Sequence, residues 1–179
     1  MPVTTTNLIQ GPATIYIAAF GAVEPATIAT APAVAWTDLG GTKEGFTLTD
    51  ASEFAALSVD QLTMDPESRR ISRTVTAATS LAEATLDNLA RASANTAPAA
   101  NVLVPDEGVT AFKPPYSALL IDGLAPGGFR RRIILRKVLA TGSVGMAYKK
   151  DAQTLIPIEW KLHYISPSIT AYKIEDATS

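Results

Sequence analysis

Residues 42–77 read TKEGFTLTDASEFAALSVDQLTMDPESRRISRTVTA, and this stretch decides the fold class. Thr42 to Thr49 alternates, with Phe46 and Leu48 on one face and Gly45, Thr47 and Thr49 on the other. That is the period of a half-buried strand. Asp50-Ala51-Ser52 reads as a turn, after which Glu53 to Gln61 sets Ala55, Leu57 and Val59 on one side. Arg70 to Ala77 alternates again, Ile71, Arg73, Val75 and Ala77 against Arg70, Ser72, Thr74 and Thr76.

The same signal extends in both directions. Thr14 to Phe20 is rich in aromatic and β-branched residues and follows the Gly11-Pro12 punctuation. Downstream strands are expected at Tyr116–Asp122, Phe129–Ala140, Thr154–Tyr164 and Ile169–Ile174. About eight strands with turns between them predict a β-sandwich or partly closed barrel. One helix interrupts the pattern. Ser80 and Glu83 form a capping box, Ala82, Leu86, Leu89 and Ala90 make an apolar stripe, and Asp87 and Arg91 stand at i,i+4. The spacing predicts a helix over residues 81–92 and a single domain over 1–179, mainly β with one α-helix.

Three segments fit neither period. The N-terminal arm (1–12), the 21–35 loop and the 93–115 excursion are rich in Ala, Pro, Thr and Asn. Loops of this length inside a small domain tend to be functional or disordered. They are expected either to order against neighbouring copies or to be linkers.

Composition narrows the function. The chain has 179 residues, 47% hydrophobic and 18% charged, enough apolar material for a core and too little charge for disorder. With no cysteine and one histidine, disulfides, thiolate nucleophiles and Cys- or two-His metal sites are excluded. A net charge of −2 lacks the basic surplus of a general nucleic-acid binder. No basic flank precedes an apolar run at the start, and no stretch reaches the roughly 18–20 apolar residues of a membrane helix. The expectation is a protein made in a cytoplasm, with no cofactor, no metal and no enzymatic activity.

Individual residues agree. In Phe129-Arg130-Arg131-Arg132-Ile133-Ile134-Leu135-Arg136-Lys137, alternation sends Arg130, Arg132 and Arg136 one way and Arg131 and Lys137 the other. A divided cluster makes a poor phosphate patch, so these arginines are expected to pair with carboxylates, some from another subunit. His163 lacks a nucleophile elbow around any serine and reads as structural. Asp60, Asp65 and Glu67 match no calcium-loop spacing. Gly40-Gly41 and Gly127-Gly128 are turn pairs, and Trp36 and Trp160 are core or interface anchors.

Two stretches together carry a resemblance. Trp36-Thr37-Asp38-Leu39-Gly40-Gly41-Thr42-Lys43-Glu44-Gly45-Phe46-Thr47-Leu48 is followed by Phe54, Val59-Asp60-Gln61 and Arg70-Ile71-Ser72-Arg73-Thr74-Val75, leading into Leu81-Ala82-Glu83-Ala84-Thr85-Leu86-Asp87-Asn88-Leu89. This order resembles the major tail tube protein of long, non-contractile-tailed bacteriophages, over most of residues 10–175. The resemblance implies a homo-oligomer: six copies in a ring, their inner strands forming one continuous β-barrel lumen, and rings stacked into a tube through loops and arms. Its partners would be the tape measure protein and genomic DNA in the lumen, with tail tip and tail terminator proteins at the ends. It would sit in the virion tail, without a membrane in the mature tube, after assembly in the host cytoplasm.

On that resemblance the hairpin Thr42–Gln61 is the candidate lumen lining, with Glu44, Asp50, Glu53 and Asp60 as lumen carboxylates that would repel DNA. The competing assignment sets those acids at subunit interfaces opposite Arg70, Arg73, Arg130, Arg131 and Arg132. Alternatives are the tube of a contractile tail, gene-transfer particle or secretion system, and a β-sandwich binding or capsid decoration module. The last would be expected to show an aromatic platform, yet only 7% of residues are aromatic.

Overall fold

The computed structural model describes residues 4–107 and 114–177. Residues 1–3 of the N-terminal arm and 108–113 of the third excursion lie outside the described residues. Eight strands build the fold among the described residues: β1 (Thr14–Ala19), β2 (Thr37–Asp38), β3 (Thr42–Leu57), β4 (Glu67–Leu81), β5 (Ser117–Leu124), β6 (Arg130–Ala140), β7 (Ile156–Leu162) and β8 (Tyr172–Asp176). They form one antiparallel sheet in the order β2-β1-β5-β6-β7-β4-β3, with β8 also on β6. The fold is mainly β, as the alternation predicts.

The sheet curls without closing. Ile15 and Ile17 of β1 share one core with Val75 and Ala77 of β4, four steps away along the sheet, around Leu119, Leu135, Val138 and Trp160. Yet β2 and β3, the ends of the path, do not pair with each other. A partly closed barrel describes it. Trp160 is 1% exposed, the deep anchor expected of an indole.

Two sequence expectations are corrected. Asp50-Ala51-Ser52 is not a turn. β3 runs through it without a break, pairing Asp50 with Val75, Ala51 with Thr74 and Ser52 with Arg73. The hairpin is therefore β3–β4, turning at 58–66, and not Thr42–Gln61. The helix is also shorter than 81–92. Ser80 and Leu81 continue β4, paired with Lys43 and Thr42, and Leu81 is fully buried. Helix α1 spans Leu86–Ala92 with Thr85 as its cap, whose side chain accepts from the Asn88 N–H at 3.2 Å. Strand pairing outweighed a locally good capping signal.

Glu83, freed from capping, accepts a hydrogen bond from the Gly41 N–H at 2.8 Å. Gly40 beside it has φ +81°, a conformation that favours glycine, and a Cβ there would push the Glu83 carboxylate from its place. Asn88 holds α1 to this corner, its Nδ2 donating to the Leu39 and Glu83 carbonyls at 3.1 and 3.0 Å while only 3% exposed. Asn88→Ala leaves those carbonyls without their partner and is expected to cost about 2 kcal/mol in urea denaturation.

On the opposite face, Ala18, Trp36, Ala118, Leu120 and Ile134 make a second small core beneath the 21–35 loop. The loop is tied to its own chain: Trp36 Nε1 donates to the Val23 carbonyl at 2.9 Å, and Arg132 to those of Thr27 and Thr30 at 3.1 and 2.8 Å.

Candidate functional site

β4 becomes buried only from Val75 onward, where β7 begins to flank it with Lys161 opposite Thr76. Every residue from Glu67 to Thr74 is exposed, and no residue of β3 is fully buried. Beyond Asp50 the two strands therefore leave the sheet as a two-stranded ribbon bare on both faces. Phe54, Ile71 and Met64 are 57%, 64% and 82% exposed. A lone two-stranded ribbon is marginal in water, and apolar groups gathered on one mark a surface that another molecule covers.

Its edges are equally open. Among the described residues β3 pairs only with β4, and β4 below Thr76 pairs only with β3. Two irregularities interrupt the β3–β4 pairing. Within the sheet, opposite Ser80 and Thr79, the register shifts between Lys43 and Phe46, with Glu44 at φ 71° and Gly45 at φ 77°. Further out it shifts between Glu53 and Phe54, where Ile71 has no partner opposite. Local bonds hold the strands together: Ser72 Oγ donates to Glu53 at 2.7 Å, and Arg70 stacks over Phe54 at 5.7 Å.

A three-residue contact fixes the ribbon to the sheet. Arg73 Nε donates to Asp50 at 2.9 Å, and its guanidinium also pairs with the second carboxylate oxygen. The Tyr172 hydroxyl of β8 donates to Asp50 at 2.7 Å, with Arg73 over its ring at 5.6 Å. These hydrogen bonds, that from Arg73 above all and then that from Tyr172, hold the Asp50 carboxyl well below the usual carboxylate range. Since the folded value is depressed, the stabilisation is present above the ordinary pKa of about 3.9 and lost as pH falls through the lower folded value. Asp50→Asn is thus expected to speed hydrogen exchange of residues 46–54 several-fold at pH 7. At matched pH the difference from wild type should shrink below about pH 4; a gap that is unchanged at pH 2 would contradict this.

Behind the contact, β7 and β8 share one edge of β6: Leu162 faces Val138, while Tyr172 faces Leu135. The chain leaves β7 there, opening a groove of about 550 Å³ lined by Arg73, Val75, Leu162, Tyr172 and Ile174.

The sequence-selected acids do not share one face. Asp50 and Glu53 stand three residues apart in unbroken register with Val75 and Ser72, so their side chains point to opposite sides. Glu44 lies in the bulge between Lys43 and Phe46, near Ser80 and away from the ribbon, and Asp60 lies in the exposed tip. The arginines are mostly bound within the chain. Arg73 holds Asp50, Arg131 holds Asp176 at 2.6 Å, Arg132 holds Asp122 at 2.7 Å, and Arg130 donates to the Ile28 carbonyl at 3.2 Å. Arg136 pairs with Glu24 at 2.5 Å, and only Arg70 of the selected set is left to stack on Phe54. This chain supplies carboxylates to Arg131, Arg132 and Arg136 of β6, while Arg130 reaches a carbonyl.

His163 packs edge-on to Tyr116 at 5.3 Å. Its pKa is lowered, first by burial and then by the charges of Lys137 and Lys161. No group of three or more metal-ligating side chains occurs among the described residues.

No family model and no curated protein matches the sequence. Among solved structures, the fold is similar to a chain of the anti-feeding prophage baseplate, solved by cryo-electron microscopy with six-fold symmetrisation: 8% identity, 98% of this chain and 97% of that chain covered, TM-score 0.49. It is also similar to a crystal structure of an Hcp protein: 13% identity, 94% and 100% covered, TM-score 0.33. At such identities and scores neither likeness assigns a function.

Proposed function

We propose that this chain is a structural subunit which polymerises through its β3–β4 ribbon into rings, stacked as a hollow tube of the bacteriophage tail type. One observation carries the reading. The ribbon leaves the sheet with both faces and both edges uncovered. Unpaired strand edges recruit other strands, and closing a ring lets each copy cover the next until no lateral edge remains. The tail tube resemblance in residues 36–89 supplies the six-fold ring, the lumen carrying DNA and the tape measure protein, and the tip and terminator proteins at the ends. In this reading the chain performs no catalysis and needs no cofactor.

The test is negative-stain electron microscopy of the purified protein at rising concentration, with size-exclusion chromatography alongside. Hollow tubes or stacked rings of uniform width are expected. A monomer at every concentration, even with tail-tip components added, would overturn the reading in favour of a binding module. Tubes that acquire a coat on coexpression with a sheath protein would assign a contractile tail or secretion machine.

A further inference from the structure

Away from the ribbon, the face of β1, β5 and β6 carries a second uncovered feature. The 21–35 loop leaves a cleft of about 250 Å³ against the sheet, lined by Phe20, Trp36, Ile134 and Ile169, with the mutually paired Glu24 and Arg136 at its wall. Phe20 and Ile169 are 44% and 47% exposed. Beside Phe20 stands Lys137, its Nζ 5.5 Å from that ring and 4.5 Å from the ring of Tyr116. Its one hydrogen bond goes to the Tyr164 carbonyl at 3.4 Å. Among the described residues, neither Lys137 nor Lys161 has a carboxylate in salt-bridge range. His163 adds a buried Nε2 that meets no partner. The face is apolar and aromatic; its Glu24 is taken by Arg136 and Lys173, and Lys137 and Lys161 are left without a carboxylate.

The ribbon tip is its complement. Leu62 and Met64 are 57% and 82% exposed. Asp60, Asp65 and Glu67 are exposed as well, and no basic residue lies between 58 and 68. We infer that the tip of one copy docks on the Phe20–Lys137 face of a second copy, seating Leu62 or Met64 in the cleft and setting the tip carboxylates against Lys137 and Lys161. Charge complementarity selects the occupant, since the tip brings acids and the face holds unpaired lysines. Tip and cleft are different surfaces, and in the inferred head-to-tail arrangement the contact repeats from copy to copy, the alternative being a reciprocal pair that would stop the ladder at dimers. Its role as the link between successive rings rests on the tube reading; the contact itself does not.

Because the chain contains no cysteine, an engineered pair supplies its only thiols. Met64→Cys with Ile169→Cys, oxidised with glutathione disulfide, is expected to give a ladder of linked multimers. Met64→Cys with Leu86→Cys, an exposed position on α1, should give none. Adding Lys137→Glu should cut the ladder about tenfold, and adding Asp60→Lys and Asp65→Lys to that variant should restore it. Tubes that form without the ladder would overturn this contact and leave the tube reading standing. Neither tubes nor ladder would overturn both. A ladder without tubes would support the contact and remove the tube reading. A link within single chains, or an equal ladder from the Leu86 control, would overturn the docking.

Discussion

Excising residues 51–74 and joining Asp50 to Val75 through Asn-Gly is expected to yield a folded monomer that assembles at no concentration. Asp50 and Val75 face each other in register, and Asn-Gly suits a two-residue hairpin between such positions. Nothing in the excised segment is buried, whereas Val75, Ala77 and Leu81 remain in the core. Circular dichroism should therefore show an intact β signal with a thermal midpoint within several degrees of the parent. Sedimentation and negative stain should show complete loss of higher species. Tubes from the shortened chain would refute the ribbon's role, and an unfolded product would make the ribbon a folding element.

The second large effect lies under the 21–35 loop. Arg132 is 0% exposed and bound by both oxygens of Asp122, at 2.7 and 2.8 Å, besides the Thr27 and Thr30 carbonyls. Asp122→Ala leaves a buried guanidinium without its counter-charge, a loss of about 3–5 kcal/mol. That is a large fraction of a typical stability of about 5–15 kcal/mol. The double variant Asp122→Leu with Arg132→Met removes both charges and should recover part of the loss. Urea denaturation measures both; a loss under about 1 kcal/mol for Asp122→Ala would show that water reaches the site.

What was legible in the sequence follows which faces are buried. β1, β5, β6 and β7 each have buried positions, and their patterns placed them within about two residues. The alternation of β6 separated Arg131 from Arg130, Arg132 and Arg136, but it misplaced Lys137. That side chain stands beside Phe20 on the Arg136 side, because the register shift lets Leu135 and Val138 both enter one core. The ribbon hid its continuity because neither face is buried, so the only signal at Asp50-Ala51-Ser52 was polar chemistry that also makes turns. Ser80 was misread because its capping signal is local, whereas its pairing with Lys43 is set 37 residues away. The Asp50 contact was not legible at all: Tyr172 is 122 residues distant, and nothing local in either residue announces the other.

The register shift within the ribbon, where Ile71 has no partner opposite, also bears on timing. A bulged edge twists away from a flat one, so two free chains that meet in solution align poorly and part. If the chain polymerises through this ribbon as proposed, a growing end would already have the matching curvature and would hold an incoming chain along its whole edge. Polymerisation by such a chain starts slowly and extends fast: it shows a lag, and sheared fragments of finished polymer abolish that lag.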